Sequence, residues 1–202
     1  EAVERLAAAH GDVDVLVSNA GLPGSGMLTS YSVEQIDRAI AVNLRAPMIL
    51  ARHLAERMVA RRSGHLVFMS SLSGKVAPPR TPIYSATKFG LRGFAQSLRE
   101  DLRPSGVGVS TIFPGFVRDA GMFHDTGAKL PPGVGTVTPE AVADAVVRAI
   151  ERNRGEVDVA PLSLRAGVIA GSLAPDLAAT VQRKLGGQRV AEEHELSQTD
   201  KR

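Results

Sequence analysis

Leu66-Val67-Phe68-Met69-Ser70-Ser71, followed ten residues later by Thr81-Pro82-Ile83-Tyr84-Ser85-Ala86-Thr87-Lys88, is the stretch on which the reading of this chain turns. A short apolar, β-prone run ends in two hydroxyls, and a threonine–proline pair then opens a helical pattern. Threonine as N-cap and proline at the first helical position put the helix start at residue 82 and Tyr84 in its first turn. Tyr84 and Lys88 are one turn apart, so both leave the same helix face. At ~5 Å and an effective dielectric of ~20 their Coulomb interaction is about 3 kcal/mol, or roughly two pK units. That would bring the phenol toward neutrality, where general acid–base catalysis works best, and the positive end of the helix acts in the same direction. The bland alternative is an exposed helical Tyr and Lys. With two Tyr and five Lys in the chain, such a spacing arises by chance about one time in twenty, so the neighbours of the pair decide its meaning.

Working outward, the same alternation of strand and helix recurs along the chain. Residues 13–17, 66–69, 107–113 and 157–160 read as strands, and 33–62, 82–103 and 139–153 as helices, with the residues before Gly11 reading as the end of another helix. This order implies an α/β fold with a parallel sheet and crossover helices, three of its strands apolar enough for burial on both sides. Thr138-Pro139-Glu140 repeats the helix-start signal. Residues 116–137, rich in Gly and Pro, read as a long lid-like loop with one short helix. Residues 187–202 read as a polar tail, a frayed helix or disorder, leaving 1–186 as one domain.

Composition narrows the function classes. At 202 residues, with 44% hydrophobic and 22% charged residues, the chain is long enough for one sizeable core. Its net charge of +3 is scattered, without a basic stripe interleaved with aromatics, so nucleic acid is not an expected partner. The absence of cysteine excludes disulfides and thiolate chemistry and suits a reducing, cytoplasmic setting. The five histidines show no metal-ligand spacing, so no metal is expected. No apolar run approaches the ~20 residues of a membrane span, so no membrane partner is expected. The chain opens at Glu1, and what precedes it is not read.

Several polar residues fall where the strands of such a sheet end, which is where ligands bind. Ser71, thirteen residues before Tyr84, could donate to a substrate carbonyl oxygen, or simply cap a turn into Gly74. Asn19-Ala20-Gly21 follows the first strand; Gly21 permits close backbone approach and Asn19 can tie strand ends together, although ordinary turn chemistry accounts for the motif too. Asn43 lies four residues before Pro47, whose missing N–H leaves the Asn43 carbonyl without its helical partner. A kink there with a bound water could relay protons between Lys88 and solvent, or serve packing alone. Pro114-Gly115 closes the third strand just before the lid-like loop.

Taken in order, Asn19-Ala20-Gly21 after a strand, Val42-Asn43-Leu44 within a helix, Ser70-Ser71, Tyr84-x-x-x-Lys88 and Pro114-Gly115 resemble the short-chain dehydrogenase/reductase family over about residues 1–160. The resemblance implies a Rossmann-like, doubly wound parallel sheet and an oxidoreductase that interconverts a secondary alcohol and a ketone with NAD or NADP. It implies Tyr84 as acid/base, Lys88 lowering its pKa and holding the nicotinamide ribose, Ser71 polarising the substrate carbonyl, and Asn43 organising the relay water. Asn19, Ala20 and Gly21 would line the cofactor cleft, together with Tyr84 and Lys88, and Pro114, Gly115 and Val117 would lie near the nicotinamide. Helices 33–62 and 82–103 would pair subunits as a homodimer or homotetramer.

Two departures stand out. Asp119 occupies a position where the family often carries threonine, and a carboxylate beside a diphosphate would be repelled, so Asp119 is left out of the cofactor set. The glycine-rich strand–turn–helix that holds the pyrophosphate is not found either: Gly21-Leu-Pro-Gly24-Ser-Gly26 has the wrong spacing and reads as a loop. The sheet is therefore expected to be partial, with about 70 residues and three N-terminal strands missing on the family layout, at ~30 residues per βαβ unit. That would leave the edge of the first strand exposed and the 202-residue chain a fragment with little activity of its own. The choice between NAD and NADP is not readable. An alternative is an inactive remnant acting only through helix-mediated association. A third, a nucleotide-sugar epimerase or dehydratase, shares Tyr-x-x-x-Lys but not Asn-Ala-Gly or Val-Asn-Leu.

Overall fold

Four short strands, β1 (Val15–Ser18), β2 (His65–Met69), β3 (Gly108–Pro114) and β4 (Glu156–Val159), pair in parallel in the order β1-β2-β3-β4. The structure is a computed structural model that describes residues 11–125 and 134–174, together with residues 5, 9, 127, 130, 176 and 180. Most of the residues expected to form a helix before Gly11, part of the loop at 131–133, and the tail at 187–202 lie outside the described residues. Between β1 and β2 run α1 (Val33–Ile40), a π turn (Ala41–Arg45) and α2 (Ala46–Arg61); α3 (Pro82–Leu102) joins β2 to β3. Then α4 (Gly121–His124) and α5 (Pro139–Glu151) lead to β4, and α6 (Leu162–Leu173) follows it.

Strand periodicity sorts the side chains into two cores. Leu66, Phe68 and Val109 face Ala51, Leu54 and Met58 of α2 and Leu91, Ala95 and Leu102 of α3. Val67, Ile112 and Val159 point the other way, onto Ala145 and Ala149 of α5. The result is a sheet covered by helices on both faces, with β2 and β3 buried from both sides. Register between β2 and β3 is reinforced by a polar pair: the Ser110 hydroxyl donates to the Arg154 carbonyl at 2.6 Å, so His65 Nε2 carries the proton it gives to Ser110 Oγ at 2.8 Å. By contrast β1 is an edge strand. Leu16 packs onto the α2/α3 core, while Val15 and Val17 on its other face are 41% and 43% exposed.

Three local features differ from the sequence expectation. The helix expected over 33–62 is interrupted at Ala41–Arg45, where the chain widens into a π turn closed by Ala46 N–H to the Ala41 carbonyl. Pro47 supplies no N–H, and a π turn re-spaces the ladder around it. Thr81 stands at the N-cap of α3 without capping through its side chain: its hydroxyl lies 2.7 Å from the Pro78 carbonyl and 2.9 Å from Ser85 Oγ. Thr138 does cap α5, accepting from Ala141 N–H at 3.1 Å. Helix α6 was not expected; its inner face is Leu164 and Val168, packed with Leu72 and Phe113, and Leu162, Ile169 and Leu173 stay exposed.

The lid-like region keeps its one short helix, α4. Its two ends are pinned together by a parallel bridge between Val117 and Val137. Among the described residues, no helix is long and apolar enough to cross a membrane, and no group of three or more His, Cys, Asp or Glu is placed to hold a metal ion.

Candidate functional site

Strand β2 ends at Met69, and the first turns of α3 lie against that end. Lys88, buried to 3% exposure, donates from Nζ to the Met69 carbonyl at 2.9 Å, which fixes the ammonium at the carboxyl edge of the sheet. Its Nζ also lies 5.5 Å from the Tyr84 ring centroid, so the pair does share one helix face. Ser70 is buried one residue on and donates to the Lys88 carbonyl at 3.2 Å. Gly74 closes this contact, because a Cβ there would meet Ser70 Oγ at 2.6 Å and the Lys88 carbonyl oxygen at 2.8 Å.

Of the two readings that the position of Ser71 allowed, the turn cap is visible in the structure. The Ser71 oxygen caps the following 3-10 turn (Leu72–Gly74) by accepting from Ser73 N–H at 3.1 Å, and its side chain lies close enough to the Tyr84 phenol to favour the phenolate. A carbonyl oxygen presented to Ser71 and Tyr84 would meet two neighbouring hydroxyls.

The electrostatics depart from the sequence expectation. Burial pushes the Tyr84 phenol above its ordinary value of 10, and the nearby Ser71 side chain only partly offsets this. Burial also brings Lys88 down from 10.5 to about 8. The ammonium spends its hydrogen bond on Met69 and lies beside the phenol ring, so enclosure dominates over the helical-turn attraction. In this arrangement Tyr84 is a protonated phenol at neutral pH, suited to giving a proton.

Asn43, 1% exposed, sits in the π turn and clamps the chain after β1. Leu22 N–H donates to Asn43 Oδ1 at 2.7 Å, Asn43 Nδ2 donates to the Leu22 carbonyl at 2.9 Å, and its second proton faces Thr87 Oγ1 at 3.4 Å. Thr87, also buried, donates to the Tyr84 carbonyl at 2.8 Å. Gly21 lies where a Cβ would come 3.3 Å from Asn43 Oδ1 and 3.7 Å from Lys88 Nζ. Four of the expected residues, Gly21, Asn43, Tyr84 and Lys88, thus meet, with Ser71 joined through Tyr84.

The remaining expected residues rim this cluster. Asn19 and Ala20 are exposed at the end of edge strand β1. Gly115 N–H donates to the Val159 carbonyl at 2.9 Å, and its Cα faces Ala160, Leu72 and Leu164, so its visible role is packing under α6. Pro114 ends β3, and Val117 is held in the bridge to Val137. Asp119 adopts a left-handed φ of 69° and pairs with Arg118 at 3.2 Å, out on the surface. From the lid, Met122 of α4 reaches over the cluster, its terminal methyl 3.5 Å from where a Gly21 Cβ would lie. Sequence reasoning missed Thr87, Leu22 and the Met69 carbonyl; for Thr87 the only signal was its place inside the Tyr-x-x-x-Lys turn.

The donor set suits a dinucleotide's sugar. Among the described residues the Lys88 ammonium has one oxygen acceptor, Met69, which leaves further N–H groups beside the Gly21 backbone. The order Asn-Ala-Gly, buried Asn, Ser, Tyr and Lys around one strand edge is matched by a known family: the profile described as short chain dehydrogenase aligns with residues 1–131. The chain belongs to the short-chain dehydrogenase family. Among its relatives, the ketoacyl reductase HetN of Nostoc sp. is 40% identical over 149 residues, 74% of this chain and 52% of that protein. A metagenomic short-chain oxidoreductase solved with NADP is 35% identical, with a TM-score of 0.63 over 79% of this chain and 67% of that one. A 4-hydroxyisoleucine dehydrogenase solved with NADH and succinate shares the fold, with a TM-score of 0.67 at 23% identity over 78% of this chain and 70% of that one. The chain spans about half the length of its curated relative HetN.

Proposed function

We propose that the protein containing these residues is an NAD- or NADP-dependent oxidoreductase that interconverts a secondary alcohol and a ketone. The observation that carries this reading is the Ser71–Tyr84 hydroxyl pair beside a buried Lys88 at the carboxyl end of β2. A nicotinamide cofactor would supply or accept the hydride. Lys88 and Tyr84 would hold its ribose, with Asn19, Ala20, Gly21, Pro114, Gly115 and Val117 along the cleft. Ser71 orients the substrate oxygen by a hydrogen bond. Tyr84, protonated at neutral pH, gives its proton to that oxygen during reduction; in the oxidation direction it must first lose this proton before it takes one from the alcohol. Lys88, which would hold that ribose, would return a proton to Tyr84, and Asn43, four residues before Pro47, would connect Lys88 to solvent through its backbone carbonyl.

Support for a cofactor of this kind comes from the relatives: one family structure holds NADP and a fold neighbour holds NADH. We place the enzyme in the cytoplasm, which its lack of cysteine suits, and as a homodimer or homotetramer on the strength of the exposed Ile49 of α2 and Phe89 of α3. We also propose that residues 1–202 alone bind the cofactor weakly. They contain no glycine-rich strand–turn–helix, and edge strand β1 leaves Val15 and Val17 open on one face. Isothermal titration of the 202-residue chain with NAD and NADP, beside the longest natural form of the protein, tests this. Tight binding by the short chain would contradict it. Absence of nicotinamide-linked ketone reduction by the long form, across a panel of ketones, would overturn the enzymatic reading. It would leave helix-mediated association of an inactive chain as the alternative.

A further inference from the structure

The segment Leu22-Pro23-Gly24-Ser25-Gly26, set aside as an ordinary loop by its spacing, is laid across the first turn of α3. It is fastened at both ends. Leu22 is gripped through both backbone groups by Asn43, and Gly26 N–H donates to the Arg80 carbonyl at 2.6 Å. Pro23, Gly24, Ser25 and Gly26 are all buried. Between the two fastenings, Gly24 touches the backbone of Tyr84 itself. A Cβ on Gly24 would lie 2.9 Å from Tyr84 Cβ, 3.1 Å from its nitrogen and 3.2 Å from its Cα.

These are the atoms that set where the phenol stands, and none of them is the far end of a flexible side chain. Gly24 is not in the left-handed region reserved for glycine, so alanine there meets no backbone strain. Its only cost is the collision with Tyr84. The strap can retreat little, its backbone being held by two hydrogen bonds to the Asn43 side chain and one to the Arg80 carbonyl, so Tyr84 and the helix start must give way.

We propose that Gly24 is a positioning residue for Tyr84: the strap from Leu22 to Gly26 transmits the placement of Asn43 to the backbone of Tyr84, and glycine is required at its point of contact. The proposal deepens the reading of Tyr84 as acid/base, and its catalytic consequence rests on that reading. A displacement of several tenths of an ångström at the proton donor degrades catalysis without abolishing the fold; a misplacement of about 1 Å costs roughly 100-fold.

The chain has two tyrosines, so ring-labelled tyrosine NMR reports Tyr84 directly, with Tyr84→Phe assigning its signal. In wild-type protein, nuclear Overhauser contacts are expected between the Gly24 α protons and the Tyr84 amide and β protons; their absence overturns the proposal and requires no variant to fold. In Gly24→Ala the Tyr84 ring signal and its pH midpoint are expected to move while Tyr31 stays put. In the long form of the protein kcat is expected to fall about tenfold or more with the cofactor KM within about twofold, by the same misplacement argument. A folded Gly24→Ala with an unchanged Tyr84 signal overturns it, and so does an unchanged kcat where Tyr84→Phe loses its rate. If the Tyr84 signal moves but Tyr84→Phe keeps the wild-type rate, the strap is confirmed as a positioning contact and the acid/base assignment is what fails.

Discussion

Asn43 holds Leu22 by both of its backbone groups, accepting from its N–H at 2.7 Å and donating to its carbonyl at 2.9 Å. This is the mimicry by which a side-chain amide stands in for a neighbouring strand. It ties the turn after β1 to the π turn of the first crossover. Asn43→Ala leaves Leu22 N–H and carbonyl without this partner in a mostly buried place, at about 1–3 kcal/mol for each group left unsatisfied. We expect a lower urea midpoint for Asn43→Ala, with stability down by about 2 kcal/mol or more. A loss within experimental error would show that the clamp is incidental.

Lys88 gives a pH signature. Its folded value, about 8, lies below its ordinary 10.5, because burial disfavours the ammonium. Between those values the unfolded chain binds more protons than the folded one, so stability rises with pH across this window. Below about pH 8 the full penalty applies, nominally about 3 kcal/mol. Lys88→Met removes that penalty along with the bond to Met69. The variant should therefore match or exceed wild-type stability near pH 7, and its advantage should shrink toward pH 10.5. Denaturation curves of both proteins from pH 7 to 10.5 check this; an advantage that grows with pH contradicts it.

Gly74 is where the Ser70–Lys88 contact leaves no space. A methyl group there would sit 2.6 Å from Ser70 Oγ and 2.8 Å from the Lys88 carbonyl oxygen, and overpacking of this kind costs about 1–3 kcal/mol. Gly74→Ala is expected to lower Tm measurably and to shift the Tyr84 ring signal less than Gly24→Ala does. Wild-type stability in Gly74→Ala would show that α3 can slide freely on the β2 edge.

Pro47 tests the relay. Replacing it with alanine restores an N–H able to pair with the Asn43 carbonyl, which the relay needs free. Pro47→Ala in the long form should lower kcat and displace the alkaline limb of its pH profile. An unchanged rate and profile would assign the π turn to packing alone.

The sheet was legible because 66–69 and 107–113 are apolar runs bounded by turn residues, and both strands are indeed buried on each face. Asn43 was legible through Pro47, although the widened π turn at Ala41–Arg45 was not, since spacing along a helix does not register an added residue. Helix α6 escaped notice because Gly167 and Gly171 dilute its pattern and its outer face keeps Leu162, Ile169 and Leu173. At Thr81 the position was right and the bond was not: its hydroxyl goes to Pro78 and Ser85. The direction of the Tyr84 shift and the fit of Gly24 against it depend on enclosure by segments sixty residues away, which no local pattern carries.

The central claim is that Tyr84 delivers the proton at a site otherwise intact around it. Single-turnover ketone reduction by Tyr84→Phe, in the long form of the protein with cofactor binding measured on the same sample, tests it most directly. The account predicts a rate below a few per cent of wild type, about 100-fold down or more as general acid catalysis is lost, with cofactor affinity changed only modestly. A Tyr84→Phe protein that binds cofactor and keeps more than a few per cent of the wild-type rate would contradict it.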